Sequence, residues 1–392
     1  MRSLFYSAER MAQAMDEAGI QALVANTAPN IQYLTGYRRG GDSLAIVRRD
    51  DLAHPDLVVN STNLDYDLED PHEAVGIHAF GFFARTFTEG ALLDEREAFV
   101  KRMHHASAKQ KSRWDVAADL LRSGKLMSSR IGVDGTLDSA APLVTLLPDL
   151  QVISVPDHFR RLRMVKTGEE VERLAEAARI TEQAILASAL SASLGTTQRQ
   201  LARTYSQAVI AANAYVRSDN ASIGRGSALG NLNSPRDLVE VGSILRYDVG
   251  AHYEGYASDL ARCFAFEQVG EKAQRIYSGL LSGFEKELTL IRPGVAACEV
   301  FEATIAEVRR AGIHGFERHH VGHGIGIAGA GYDPPLLSPA DRTLLEPGMV
   351  LCVEVPYVEV GYGGLQLEDM LVVTRDGYQL LSHADRSLRV LP

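Results

Sequence analysis

The 392 residues exceed the span of one ordinary hydrophobic core, so two domains are expected. Apolar residues make up 46% and charged residues 23%, with a formal net charge of −10, a balance that suits a soluble globular chain and argues against a nucleic-acid partner, whose recognition needs a basic face. No window reaches the ~20 apolar residues of a membrane span, no signal-peptide core precedes the first helical pattern, and the scattered Cys263, Cys298 and Cys352 form no CxxC, which points to a reducing cytoplasm without disulfides or a thiolate metal site.

In chain order, Met11, Ala14, Met15 and Ala18 predict one face of a helix over residues 8–18, stopped by Gly19. Residues 20–25 read as a buried strand and 30–37 as a turn. Residues 44–47, 57–59 and 130–133 read as further strands, with a helix near 114–121. Short strands alternating with helices predict a small α/β domain over residues 1–160. Nothing in it reads as catalytic, and the adjacent His104 and His105 read as solvated surface.

The composition turns basic over residues 157–166, and Thr167-Gly-Glu-Glu170 then supplies a capping box. A second domain, residues 161–392, therefore opens on a long helix carrying Val171, Leu174, Ala178 and Ile185 on one side. A helix near 199–212, a loop rich in Gly, Ser and Asn over 222–234, and a strand over 243–251 follow. Two amphipathic helices near 271–290 and 296–311 flank the turn Arg292-Pro-Gly294, and residues 349–375 are almost all strand.

The chemistry gathers in this second domain. Asp248 and Asp259 stand at the two ends of the hairpin DVGAHYEGYASD, where two carboxylates can share a hard cation. Strand parity places Glu354 with Val350 and Cys352, and Glu368 with Gln366 and Met370. A single acid in such a strand is most simply an edge residue or a lysine partner. Four of them, with no cluster of Lys or Arg near them in the sequence, predict cation binding, because an unpaired buried carboxylate costs several kcal/mol. His319-His-Val-Gly-His323 adds three histidines among glycines, so one can bind metal while another lies nearby, and its GxG does not sit in a βαβ unit. Two divalent ions would balance the four acids, with neutral His323 as nitrogen donor, and leave a place for a bridging water or hydroxide whose pKa falls from 15.7 to ~7. Mixed oxygen ligation with one imidazole suits Mn, Co, Fe or Zn.

Together, DVGAHYEGYASD, HHVGHGIG, LEPGMVLCVEVP and GGLQLED resemble the pita-bread metallohydrolases of the creatinase/prolidase/aminopeptidase P family. The resemblance runs from about Val165 to the end and extends faintly to residues 18–24 and 30–36. It implies an α+β chain: a small creatinase-like α/β domain, then a pita-bread domain whose antiparallel sheet is flanked by helices. It implies that Asp248 chelates one metal, that Asp259 and Glu368 bridge two, and that His323 and Glu354 complete the second site. Glu354 would also carry a proton from the bridging water to the leaving amine, and manganese is the favoured ion. The resemblance further implies a homodimer in which Arg38 and Arg39 approach the partner's site, with solvated surface as the other reading.

The departures from that pattern are specific. Asn231 stands where family peptidases carry a histidine seventeen residues before Asp248, and Ala330 replaces another histidine seven residues after His323. Gln366 replaces an arginine two residues before Glu368. His319, Tyr332 and Asp333 are the candidates to stand in, His319 as a catalytic group, and Asn231, Tyr332, Asp333 and Gln366 as substrate-binding ones. The resulting expectation is a dinuclear metal-dependent hydrolase of amide or peptide C–N bonds, Xaa-Pro dipeptidase- or aminopeptidase-like, acting on a short peptide or small molecule. The alternatives are a specialised hydrolase of non-proline small molecules and a non-catalytic binding module on the same fold.

Overall fold

The computed structural model describes residues 5–38, 41–65, 74–229 and 234–392, so Arg39 and Asn231 lie outside the described residues. The chain divides between Arg163 and Met164 into two compact units. Strands β1 (Ala22–Ala25), β2 (Leu44–Arg48), β3 (Asp51–Asn60), β4 (Gly76–Phe80), β5 (Arg130–Val133) and β6 (Gln151–Ser154) form the sheet of the first unit, in the order β4-β3-β2-β1-β5-β6. The pairs β1–β2 and β2–β3 are antiparallel and the remaining pairs parallel. Helices α1 (Ala8–Ala18), α2 (Ala28–Thr35), α3 (Glu95–Ala106), α4 (Arg113–Ser123), α5 (Ala141–Leu146) and α6 (Pro156–Met164) complete it. Val24, Ile46, Val58 and Ile131 of the sheet pack with Trp114, Ala118, Leu121 and Leu143.

Two expectations for this unit are corrected. Residues 30–37 do not form a turn but lie largely in α2, which Gly36 closes at φ 76°. The missing signal is remote: Asp134, just past β5, accepts from the backbone N–H groups of Asn26 (2.7 Å) and Thr27 (3.1 Å) and from Asn30 Nδ2 (2.9 Å), anchoring the chain where the helix begins. His104 is buried rather than solvated, its ring 5.3 Å from that of Phe87, while His105 is exposed.

The second unit opens on α7 (Gly168–Leu190), whose predicted capping box is present in both directions, with Thr167 N–H donating to Glu170 at 2.8 Å and Glu170 N–H to Thr167 Oγ1 at 3.4 Å. Helix α8 (Gln198–Ala211) leads to β7 (Tyr215–Ile223), β8 (Ile244–Tyr253), β9 (Tyr256–Ala257) and β10 (Leu260–Phe266). Helices α9 (Glu271–Leu288) and α10 (Ala297–Arg310) follow. The chain then returns through β11 (Gly322–Gly324), β12 (Asp333–Leu336), β13 (Val350–Glu354), β14 (Tyr357–Glu359), β15 (Gly363–Leu365), β16 (Glu368–Val373), β17 (Tyr378–Leu380) and β18 (Arg389–Leu391). One sheet runs β12-β11-β13-β16-β10-β8-β7, with β17, β18 and β9 attached to β16, β10 and β8. The expected loop over 222–234 begins inside β7 and continues as a 3₁₀ turn over Gly224–Leu229. This is the expected α+β architecture, a small α/β unit followed by an antiparallel sheet flanked by helices.

Alternation along β13 and β16 assigns the two faces of that sheet. Leu351, Val353, Val355, Leu371 and Val373 pack with Leu280 and Phe284 of α9 and Val300 and Val308 of α10. Their neighbours Cys352, Glu354, Glu368 and Met370 are therefore turned to the other face.

Candidate metal centre

Register brings the acids together. Asp248 on β8 opposes Ala261 on β10, Ala261 opposes Glu368 on β16, and Glu368 opposes Glu354 on β13. Directly opposed residues share a face, so Asp248, Glu368 and Glu354 form one row across four strands. Asp259 lies two residues before Ala261 and belongs to the same side. On β11, His323 opposes Cys352, which is itself two residues before Glu354. The glycines around His323 let this strand sit close: a Cβ on Gly322 would lie 2.4 Å from the Cys352 carbonyl, and one on Gly324 would lie 2.6 Å from that of Asp333.

The ligand atoms converge. Carboxylate oxygens of Asp248, Asp259 and Glu368 lie within 4.8 Å of one another, as do donor atoms of His323, Cys352 and Glu368. His323 places Nδ1 3.1 Å from the Gly324 carbonyl, which takes the ring proton and leaves the Nε2 lone pair facing Asp259 (3.7 Å) and Glu368 (4.0 Å). Burial pushes this imidazole down to about 4, so it is neutral, the form that ligates. Burial raises Asp259 to about 7, with the charges of Asp248 and Glu354 adding to the rise. Burial, then Asp259, Glu354 and Asp248, hold Glu368 well above the usual carboxylate range. Crowded oxygen donors that resist ionising together, beside a neutral nitrogen donor, fit a divalent cation. Cys352 also faces this space, but burial and the neighbouring acids raise its thiol well above the usual range, so it is protonated.

The expectation that these acids lack basic neighbours is overturned. Arg246, two residues before Asp248 and on its face, donates from Nη2 to Asp248 Oδ2 (2.6 Å), from Nε to Gln366 Oε1 (2.9 Å) and from Nη1 to the Ser227 carbonyl (3.2 Å). Arg217 on β7 places Nη1 2.7 Å from Asp259 Oδ2. Arg246 was legible in principle, because position i−2 in a strand shares the face of i; Arg217 was not, because a register shift between Val216 and Ser218 breaks the alternation there.

The other predicted residues fall unevenly. Gln366 is in the centre, its Nε2 3.1 Å from Glu354 and 3.2 Å from Glu368. Tyr332 stacks on His323, with ring centroids 3.6 Å apart and an interplanar angle of 14°. His319 is exposed, whereas its neighbour His320 is buried and places Nδ1 3.1 Å from Glu354 Oε1. Asp333 is paired with Lys166 (3.2 Å), both side chains buried. Burial alone would raise the Glu354 carboxyl, yet the adjacent His320 ring, with the Arg318 charge, leaves it below its usual value. Ala330 closes a turn by donating its N–H to the Ile327 carbonyl at 3.2 Å, and Arg38 is exposed.

Comparison with known proteins is consistent with this geometry. Residues 172–375 match metallopeptidase family M24, and residues 8–75 match the Creatinase/Prolidase N-terminal domain. The chain is 24% identical over 395 residues to peptidase YqhT of Bacillus subtilis, covering 98% of this chain and 99% of that one. It is 25% identical over 309 residues to the Xaa-Pro dipeptidase of Pyrococcus furiosus, covering 75% of this chain and 86% of that one. In fold it is similar to the crystal structure of the X-Pro aminopeptidase from Thermotoga maritima, with a TM-score of 0.76 at 21% identity over 98% of this chain and 99% of that chain.

Proposed function

The chain belongs to metallopeptidase family M24, and on that premise we propose that it is a two-metal hydrolase of amide and peptide C–N bonds, acting in the manner of an Xaa-Pro dipeptidase or aminopeptidase. The observation that carries this reading is the row Asp248–Ala261–Glu368–Glu354, with Asp259 and His323 on the same face. Asp248, Asp259, His323, Glu354 and Glu368 would hold the divalent ions, whose Lewis acidity would lower the pKa of a water and polarise the scissile carbonyl.

The chain's own groups do the rest. Glu354 is the acid of this cluster whose carboxyl lies below its usual value, so at neutral pH it is ionised and ready to take a proton and return it to the leaving amine. His320 and Gln366 hold its two oxygens, at 3.1 Å each, and fix the direction in which that proton moves. Arg246 of β8 orients Gln366, placing a guanidinium near the position where the family's motif has an arginine. Tyr332 covers one face of His323 and screens it from water. Manganese as the ion, a short peptide as substrate and a homodimer as the working form belong to the same reading. A reducing cytoplasm does too, supported by three buried free cysteines. Among the described residues no helix is long and apolar enough to cross a membrane.

A second reading, a specialised hydrolase of non-proline substrates, is favoured by Ala330, whose methyl group supplies no proton donor where the family's motif has an imidazole. One assay series separates the two. Protein reconstituted with Mn²⁺ or Co²⁺ is expected to release the amino acid from Xaa-Pro dipeptides; turnover confined to non-proline substrates selects the second reading. Protein that holds metal and cleaves neither class refutes both.

A further inference from the structure

We propose that Arg217 competes with the second divalent ion for Asp259, so that the centre fills in two unequal steps. The inference rests on the two-metal reading above. By simple alternation Arg217 would not face this side, because Asn220 opposes Asp248 and shares its face, and residue 217 is an odd number of positions away. However, Val216 opposes Ala251 while Ser218 opposes the adjacent Gly250, leaving Arg217 as the extra residue of a bulge. A bulge re-aims a side chain, and here it delivers a guanidinium to the acid row.

The contact falls on an atom that matters. Arg217 Nη1 lies 2.7 Å from Asp259 Oδ2, the same oxygen that stands 3.7 Å from Nε2 of His323. A cation shared by Asp259 and His323 needs that oxygen. Charge sharpens the point. A second divalent ion would add two positive charges beside the guanidiniums of Arg217 and Arg246, a repulsion that is relieved when one of them swings away.

The two arginines differ in how firmly they are held. Arg246 is tied to Asp248, Gln366 and the Ser227 carbonyl, with its side chain 7% exposed. Arg217 has Asp259 as its ion-pair partner among the described residues, and its side chain is 25% exposed. Arg217 is therefore the group that leaves. It is a positioning residue: it holds Asp259 in the ion-poor protein and sets the metal concentration at which the second site fills.

Mn²⁺ titration of the chelator-stripped protein, by calorimetry and equilibrium dialysis, tests this. The wild-type chain is expected to bind one ion tightly and a second roughly 10- to 100-fold more weakly, the cost of breaking one charge-assisted hydrogen bond. Arg217→Met tightens the second step by that factor and leaves the first alone, and Arg217→Lys, which loses the planar fork, lies between. Arg318→Met is the control: this arginine lies close enough for the charges of Glu354 and Asp248 to act on it but makes no ion pair with Asp259, so it moves both steps by less than about threefold. Equal steps in the wild type, or an Arg217→Met variant that moves neither step or both alike, overturn the competition while leaving the two-metal reading intact. No binding by any variant overturns both.

Discussion

Glu287 offers a stability test that is independent of catalysis. It occupies the buried stripe of α9 with Gly283, Phe284 and Leu288, is 0% exposed, and neither carboxylate oxygen has a hydrogen-bond partner among the described residues. Burial, then the charge of Glu354, pushes its carboxyl well above the usual range. The folded chain thus keeps a proton that the unfolded chain gives up above its ordinary value of about 4.3. The sign follows: the folded state is favoured below that value and loses stability as pH rises toward the folded pKa, by ~1.4 kcal/mol per pH unit. Replacing Glu287 with methionine, of similar volume and without polar oxygens, removes the penalty. At pH 5 the variant should already gain about 1–3 kcal/mol from losing an unpaired buried polar group, and by pH 7 the gap should widen by up to ~2.7 kcal/mol. Calorimetric unfolding at pH 5, 6 and 7 in chelator, following the transition of the unit that contains α9, measures it. A gap that stays constant with pH, or a variant less stable than the wild type, would refute the reasoning.

The remaining predictions concern the centre and the first unit. Asp259→Ala should abolish turnover while keeping native circular dichroism; retained activity contradicts a shared ligand role. His320→Gln should lower kcat by roughly 100-fold, as loss of a proton-transfer partner does, whereas His319→Gln should change it little, and steady-state kinetics on one peptide compares them. Asp134→Ala should destabilise the amino-terminal unit by about 2–4 kcal/mol through the loss of several accepted hydrogen bonds at the start of α2, visible as a lower melting transition for that unit alone. Manganese at 100 times its Kd should stabilise the carboxyl-terminal unit by ~2.7 kcal/mol, and chelation should reverse the shift in calorimetry.

What could be read from the chain followed from local rules. The 3.6-residue stripe ending at Gly19, the reciprocal cap of Thr167 and Glu170, and the two-residue alternation around Glu354 and Glu368 each depend on neighbours within a few positions, and each is present in the structure. Alternation also implied that Cys352 and Gln366 share the face of the acids, and they do. Where a contact comes from far along the chain, local pattern was silent. Asp134 converts an apparent turn into α2 across more than a hundred residues. His320 rather than its neighbour His319 reaches Glu354, because the segment leading into β11 buries one ring and exposes the other.

The amino-acid sequence alone determined the identity of the acids, the imidazole and the face of each strand they occupy, because side-chain direction in a strand is a property of the backbone's own two-residue repeat. Which of them oppose one another, and which cations stand among them, was decided only when β8, β10, β13 and β16 were laid side by side in register. Arg217 makes the difference plain: one extra residue in β7 turns it from the far face to the acids, and that extra residue exists only relative to the strand it pairs with.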